Sequence, residues 1–384
     1  MNHLSFLHFP SGFLSPEATL TRLRQQSFLV LAVSLLSLSA GFLLLGAAWD
    51  WQIALHWGLI SLSVNIYLFS QLVRRLDLNH RAGETALLPG LGPGNLLSIA
   101  RAVLLAHLAG FLVLPRPAGW LLWLPAALYT LAALLDLLDG YAARRANHAT
   151  DLGEFLDMLF DSWGMLLATT LLVIYQKAPP WYLLIGLARY LFLAGLALRD
   201  RLGLPNLPLP PSNTRRLNAG LQMGLTFVLL WPPITPATAS YAAIFFSTPF
   251  LIFFLKDWLT VSGTLKPEAK RWAGGPRRAA LHHWLPLALR LLAAALGAAL
   301  SLPVVFAPGS QPTPYPWLLL ASLGLLLGVA PRLMAILAAL LLGLLPAAPP
   351  LTLLLLALSA ILYLGPGPFA LWQPEGRWFA ARQG

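Results

Sequence analysis

The sequence predicts an all-α protein, a polytopic transmembrane bundle of about twelve spans (10–12). Two observations carry that expectation. Of its 384 residues, 58% are hydrophobic and only 10% are charged, with a mean hydropathy of +0.71. Soluble domains carry about 25% charged residues. Apolar runs of the roughly 17 to 25 residues that cross a bilayer also recur along the whole chain. The runs are continuous rather than alternating, which argues against a membrane β-barrel.

Taken in order, the expected spans are 27–48, 52–71, 96–114, 119–137, 155–175, 180–198, 217–232, 238–256, 282–306, 315–330, 333–347 and 350–365. The last four sit in Leu/Ala-rich text that can be cut in more than one way. Basic residues test the map, because cytoplasmic loops collect Lys and Arg. With a cytoplasmic N-terminus, one side receives Arg22, Arg24, Arg74, Arg75, Arg81, Arg144, Arg145, Arg199, Arg201, Arg215 and Arg216. It also receives Lys256, the basic loop KPEAKRWAGGPRRAA, then Arg332, Arg377 and Arg382. The other side receives only Arg116 and Lys177. The net charge of +11 is therefore mostly topology, with some attraction to anionic lipid, and nucleic acid is not an expected partner. The 14 Trp and 9 Tyr suit interfacial anchoring. The chain has no cysteine, which excludes disulfide and thiol chemistry. The first 26 residues do not read as a cleaved signal peptide. No internal repeat is visible.

Three segments follow. Residues 1–90 hold a helix pair and a basic loop, 91–262 hold six spans, and 263–384 hold C-terminal helices of no assigned role. Within the middle segment, DLLDGYAARRANHATDLGEFLDMLFD at 136–161 contains six of the chain's 14 acidic residues. Asp136, Asp139 and Ala143 fall on one helical face, with Gly140 beside them leaving room for a ligand. Gly153, Asp157 and Asp161, spaced by four, fall on one face of the next helix. A short turn brings the two faces together, so four carboxylates converge at the membrane surface. Like charges that close require protonation or cations. Hard, all-oxygen sites suit Mg²⁺ or Mn²⁺, with Ca²⁺ also compatible. Two such ions can clamp the oxygens of a phosphoryl transfer.

This stretch resembles the signature of the CDP-alcohol phosphatidyltransferase family, D-x2-D-G-x2-A-R-x8-G-x3-D-x3-D. The matching residues are Asp136, Asp139, Gly140, Ala143, Arg144, Gly153, Asp157 and Asp161, with every gap kept. Upstream, PGNLLSIAR supplies the family's Pro-Asn and later Arg as Pro93, Asn95 and Arg101, with Gly94 inserted. Downstream, RRLNAGLQ stands where the family often has Gly-Lys-x-Lys-Thr-x-x-Gln. Arg216 takes the place of the first Lys and Gln222 matches, while Arg215, Asn218 and Ala219 depart from the pattern.

The resemblance implies a six-helix core over 91–262 and a metal-dependent enzyme of phospholipid biosynthesis. Such an enzyme moves a phosphatidyl-type group from a CDP-linked lipid donor, CDP-diacylglycerol above all, to a small alcohol acceptor and releases CMP. It implies that Asp136, Asp139 and Asp157 hold Mg²⁺ or Mn²⁺, as a two-metal site, against the diphosphate. Asp161 would complete the metal site and act as general base. Asn95, Gly140, Ala143, Arg144 and Gly153 would line the nucleotide site, and Arg189, Arg215 and Arg216 would serve the acceptor or its phosphate. Basic residues of that kind favour a phosphorylated acceptor such as glycerol 3-phosphate. The class fits a prokaryotic plasma membrane with both termini and the active site cytoplasmic.

Blander readings compete at other positions. Asp151 and Glu154 lie outside the pattern and suit a helix start, Asp151 as a cap. Arg189, mid-span, and Arg101 should pair with a carboxylate or line a polar cavity. Arg290 is explained by snorkelling. His282 and His283 point about 100° apart on a helix and make no metal pair. His56 and His107 suit structural hydrogen bonds. Two other functions fit twelve spans, an ion-coupled transporter and a catalytically lapsed relative kept as a scaffold. The transporter is disfavoured because the acids lie at one surface and no related halves are visible. The flanking helices can shape a lipid cavity, bind a partner or support a homodimer, roles the sequence leaves open.

Overall fold

The computed structural model describes residues 15–209, 212–265, 276–306, 314–342, 344–345, 349–364 and 367–372. Among them are twelve α-helices and no β-strand beyond one isolated bridge, Val329 to Trp372. The helices are α1 (Pro16–Ala48), α2 (Trp51–Arg74), α3 (Gly92–Gly110), α4 (Leu124–Arg145), α5 (Asp151–Ile174) and α6 (Leu183–Arg201). They continue as α7 (Asn213–Leu230), α8 (Pro236–Val261), α9 (Pro276–Val305), α10 (Tyr315–Leu327), α11 (Pro331–Leu342) and α12 (Pro349–Leu364). Each expected span corresponds to one of them. Large leucines such as Leu29, Leu36 and Leu137 stand 67%, 71% and 73% exposed, a surface that only lipid solvates without cost. The protein is a multi-pass membrane protein.

The expected number of crossings, about twelve, is not confirmed. Among the described residues, eight helices are long and apolar enough to cross a membrane: α1 to α6, α8 and α9. The apolar part of α7 is Asn218–Leu230, and α10 and α11 have 13 and 12 residues. At 1.5 Å per residue such helices reach about 20 Å, short of a hydrocarbon core of about 30 Å. Gly328, in the left-handed region at φ 69°, ends α10, and Pro331 starts α11 three residues later.

The chain divides into two compact units, 1–167 and 168–384, with the boundary inside α5. In the first, α3 is central and is the most buried of the eight long helices. It packs on α2 and α4, and α1 packs on α2. Polar contacts and small residues join these helices. The Trp57 indole N–H donates to the His107 carbonyl at 3.0 Å. Ser37 Oγ lies 3.1 Å from His107 Nε2, and Ser34 Oγ donates to Asn65 Oδ1 at 3.2 Å. A Cβ on Gly41 would lie 2.5 Å from the Trp57 ring, and one on Gly110 2.3 Å. Close helix approach in lipid rests on such small residues. His107 thus has the structural role expected of it.

In the second unit, α8 packs on α6, α7, α11 and α12, and α9 on α10 and α12. Its apolar core runs from Tyr241 and Phe245 to Leu358 and Ile361. Lys177, 2% exposed, donates to the carbonyls of Leu230 and Trp231 and so satisfies the C-terminal end of α7. Arg290 is also buried rather than snorkelling. Its guanidinium donates to the Pro368 and Phe369 carbonyls at 3.2 and 3.4 Å. The side chains of His282 and His283 lie outside the described residues.

Candidate active site

The site is built at the meeting of α3, α4 and α5. Arg144 and Arg145 in the last turn of α4 complement the helix dipole. The helix stops as Ala146 N donates to Ala142 O, and Asn147 takes φ 50°, a conformation Asn tolerates. Thr150 then caps α5, its Oγ1 accepting from Gly153 N at 3.1 Å. The expected cap, Asp151, instead sits in the first turn beside His80, Nδ1 to Oδ2 3.5 Å. The turn is held from outside: Asp151 N donates to His80 O at 3.0 Å, and the Arg81 guanidinium donates to Asn147 O at 3.2 and 3.3 Å. His148 is wedged against Gly92, where a Cβ would meet its ring at 2.2 Å. Burial lowers its imidazole below the ordinary 6.5, with the nearby Arg81 charge acting the same way.

Helix α3 supplies the inner wall. Gly94 lets α4 approach closely, since a Cβ there would stand 2.6 Å from Ala143 Cβ. One turn further, Ser98 Oγ donates to Asp139 Oδ2 at 2.7 Å. The next turn carries Arg101, 3% exposed. Its guanidinium forms ion pairs with Asp136, with Asp157 at 3.0 Å and with Asp161 at 3.2 Å. Its Nε is buried without a hydrogen-bond partner. All four aspartates of the pattern therefore converge. Carboxylate oxygens of Asp136, Asp139 and Asp157 lie within 4.8 Å of one another. Four carboxyl groups face one guanidinium, so hard oxygen donors outnumber the cationic partner. That donor set fits divalent cations of the Mg²⁺ or Mn²⁺ type.

Beside the cluster opens a cavity of about 320 Å³ lined by residues of all three helices. Asn95, Gly140, Ala143, Arg144 and Gly153 line it, together with Asp139 and Asp157. So do Ser98, Thr150, Asp151 and Glu154, which the sequence reading did not place in the site, and Ala82 from the loop before α3. A signal for Ser98 exists in the sequence. Gly94, Ser98 and Arg101 are spaced i, i+4, i+7, one helical face.

The basic residues assigned to the acceptor belong to the second unit. Arg215 makes a two-pronged ion pair with Asp257, at 2.8 and 3.3 Å. Arg216 is on α7, its side chain outside the described residues. Arg189 is exposed on α6 and makes no ion pair among the described residues, so the buried carboxylate expected beside it is absent there.

Residues 93–260 match the family model for CDP-alcohol phosphatidyltransferase. This segment is thus similar to a CDP-alcohol phosphatidyltransferase domain. Three curated relatives carry the name CDP-diacylglycerol--glycerol-3-phosphate 3-phosphatidyltransferase. The Bacillus subtilis protein is 37% identical over 73 residues, 19% of this chain and 38% of its own length. The Cereibacter sphaeroides protein is 33% identical over 113 residues, 28% of this chain and 49% of its own. The Rickettsia typhi protein is 32% identical over 107 residues, 28% of this chain and 59% of its own. The chain thus spans between 38% and 59% of the length of these relatives. No solved structure matches it. The domain contains every aspartate of the cluster, while α1, α2 and the loop that holds the α4–α5 turn precede it.

Proposed function

We propose that the protein transfers a phosphatidyl group from CDP-diacylglycerol to an alcohol, with glycerol 3-phosphate the favoured acceptor, and releases CMP. The observation that carries this is the convergence of Asp136, Asp139, Asp157 and Asp161 beside a cavity large enough for a nucleotide. The names of the three relatives support the donor and the acceptor.

Asp136, Asp139 and Asp157 would hold the cations, with Asp161 at the edge of the same cluster. Bound there, divalent cations would offset the charge of the diphosphate and of the oxygens in transfer. Ser98 fixes one oxygen of Asp139 and so sets how the other is presented. Asp161 accepts the proton of the acceptor hydroxyl. That oxygen forms a bond to the lipid-side phosphorus. The bond from this phosphorus to the bridging oxygen breaks, and the electron pair leaves with CMP. Asn95, Gly140, Ala143, Arg144 and Gly153 bind the nucleotide. Arg144 at the mouth of the cavity offers a donor to phosphate. The active site and both termini face the cytoplasm of a prokaryotic plasma membrane, a topology supported by the distribution of Arg and Lys.

The test is CMP release by the purified full chain given CDP-diacylglycerol, Mg²⁺ or Mn²⁺ and a panel of acceptors. Chelator-sensitive release with glycerol 3-phosphate, absent in Asp161→Asn, is expected. Release that persists at full rate in chelator, or in Asp161→Asn, would overturn the assignment of the cluster. Release with a different acceptor only would replace glycerol 3-phosphate.

A further inference from the structure

The loop before the domain carries an inference that rests on the nucleotide reading above and deepens it. Asn79 lies outside residues 93–260, and it is fully buried. Its Nδ2 donates to the carbonyls of Leu88 at 3.1 Å and Gly90 at 2.9 Å. Those two main-chain acceptors fix the orientation of its amide, since a carbonyl oxygen cannot donate. Asn79 Oδ1 must then face the other way, and it accepts from Asn95 Nδ2 at 3.2 Å. The second Asn95 hydrogen goes to Thr150 Oγ1 at 3.1 Å. Both hydrogens of the Asn95 amide are thereby used, and the orientation of that amide follows from its neighbour's. Its Oδ1 lies beside Gly153, where a Cβ would come within 2.7 Å of it. Asn95 and Gly153 both line the cavity. Among the described residues no donor reaches this oxygen.

We propose that Asn79 is a positioning residue for nucleotide selectivity. By locking the Asn95 amide it makes Asn95 present the cavity with a hydrogen-bond acceptor, which selects a nucleotide bearing an N–H or O–H at that point. A cytidine nucleotide has two such groups, the amine of the base and the ribose hydroxyls. Uracil carries a carbonyl in place of the amine, and a 2′-deoxyribose lacks one hydroxyl.

The experiment measures dissociation constants of CDP, UDP and 2′-deoxy-CDP for the detergent-solubilised full chain in Mg²⁺. Wild type is expected to prefer CDP over one of the other two, which identifies the donor. In Asn79→Leu the Asn95 amide is free to rotate, and that preference should narrow by about fivefold, the worth of a hydrogen bond. Equal weakening of all three nucleotides, or an unchanged ratio, overturns the proposal. Gln26→Leu is the structural control. Gln26 Oε1 accepts from Leu91 N at 3.0 Å and tethers the same loop without touching Asn95. It should lower the melting temperature and leave the ratio alone, and a ratio that narrows equally in this variant also overturns the proposal. Should Asn79→Leu fail to fold, Thr150→Val removes the other acceptor of the Asn95 amide and should narrow the preference likewise, full retention refuting it. Wild type that binds CDP without preference sinks this inference alone. Wild type that binds none of the three sinks the nucleotide reading on which it stands.

Discussion

Replacing Gly94 by alanine tests whether the α3–α4 spacing sets the geometry of the cluster. The new Cβ would stand 2.6 Å from Ala143 Cβ and 3.0 Å from the Asp139 carbonyl oxygen. Carbon atoms pack at about 3.5 to 4.0 Å, so the helices must part by about 1 Å. Neither neighbour can turn away, because one is a methyl group fixed to the helix and the other is backbone. Ser98 lies one turn beyond Gly94, and Asp139 lies one turn before Ala143. The same displacement opens the 2.7 Å Ser98–Asp139 hydrogen bond to about 3.7 Å, outside bonding range. Overpacking of this kind costs about 1–3 kcal/mol. A misplacement of about 1 Å at a reacting centre costs about 10²-fold in rate. The assay is steady-state CMP release together with the melting temperature in detergent. Gly224→Ala on α7, where a Cβ meets nothing within 4 Å, should keep its activity. A Gly94→Ala protein within about twofold of wild-type turnover, melting where wild type melts, would refute the reasoning, because that separation is worth about 3 kcal/mol by rate.

Four further outcomes are expected. Asp161→Asn should lower CMP release by about 10²- to 10⁴-fold while CDP still binds, as measured by calorimetry. Removing divalent cations with a chelator should abolish release, and Asp157→Asn should raise the Mg²⁺ concentration that restores it. Arg101→Met strips the counter-charge from three carboxylates. It should destabilise the protein by about 3–5 kcal/mol in chelator and by less in Mg²⁺, read from melting curves. Burial favours the neutral form of His148 in the folded protein, so the unfolded chain binds more protons below 6.5. Its contribution to stability is present above 6.5 and is lost as pH falls from there through the lowered value of the folded state. Melting temperature against pH should show this decline, and His148→Gln should flatten it.

The parts of this structure legible in the sequence are those written in local pattern. Asp136, Asp139, Asp157 and Asp161 announce their convergence because helical spacing places each pair on one face and only a short turn separates the pairs. Helix positions were legible from apolar run length. The number of crossings was not, because Leu/Ala-rich text reports polarity, whereas Gly328 and Pro331 decide where α10 and α11 stop. Arg101 and Arg189 show the limit from another side. Each is a charge inside an apolar run, and the same argument gave both a carboxylate partner or a place in a polar cavity. Tertiary packing gave one of them three aspartates and left the other on an exposed face. Asn79 was illegible because its orientation comes from two main-chain carbonyls, which no residue pattern records.

The polarity of α3 has a consequence for how the protein is made. Asn95, Ser98, Arg101 and His107 make this helix a poor guest for lipid, since an arginine near the centre of an inserting helix costs about 2.5–3.5 kcal/mol. Helices α1 and α2 are synthesised before α3, and they offer Ser37 and Trp57 to its His107 end. The aspartates that neutralise Arg101 come from α4 and α5, which are synthesised afterwards. For the time it takes to translate some sixty residues at about 5–20 per second, α3 rests on the leading hairpin with its arginine uncompensated. Deleting α1 and α2 should therefore show first as failed insertion of α3, before any loss of turnover.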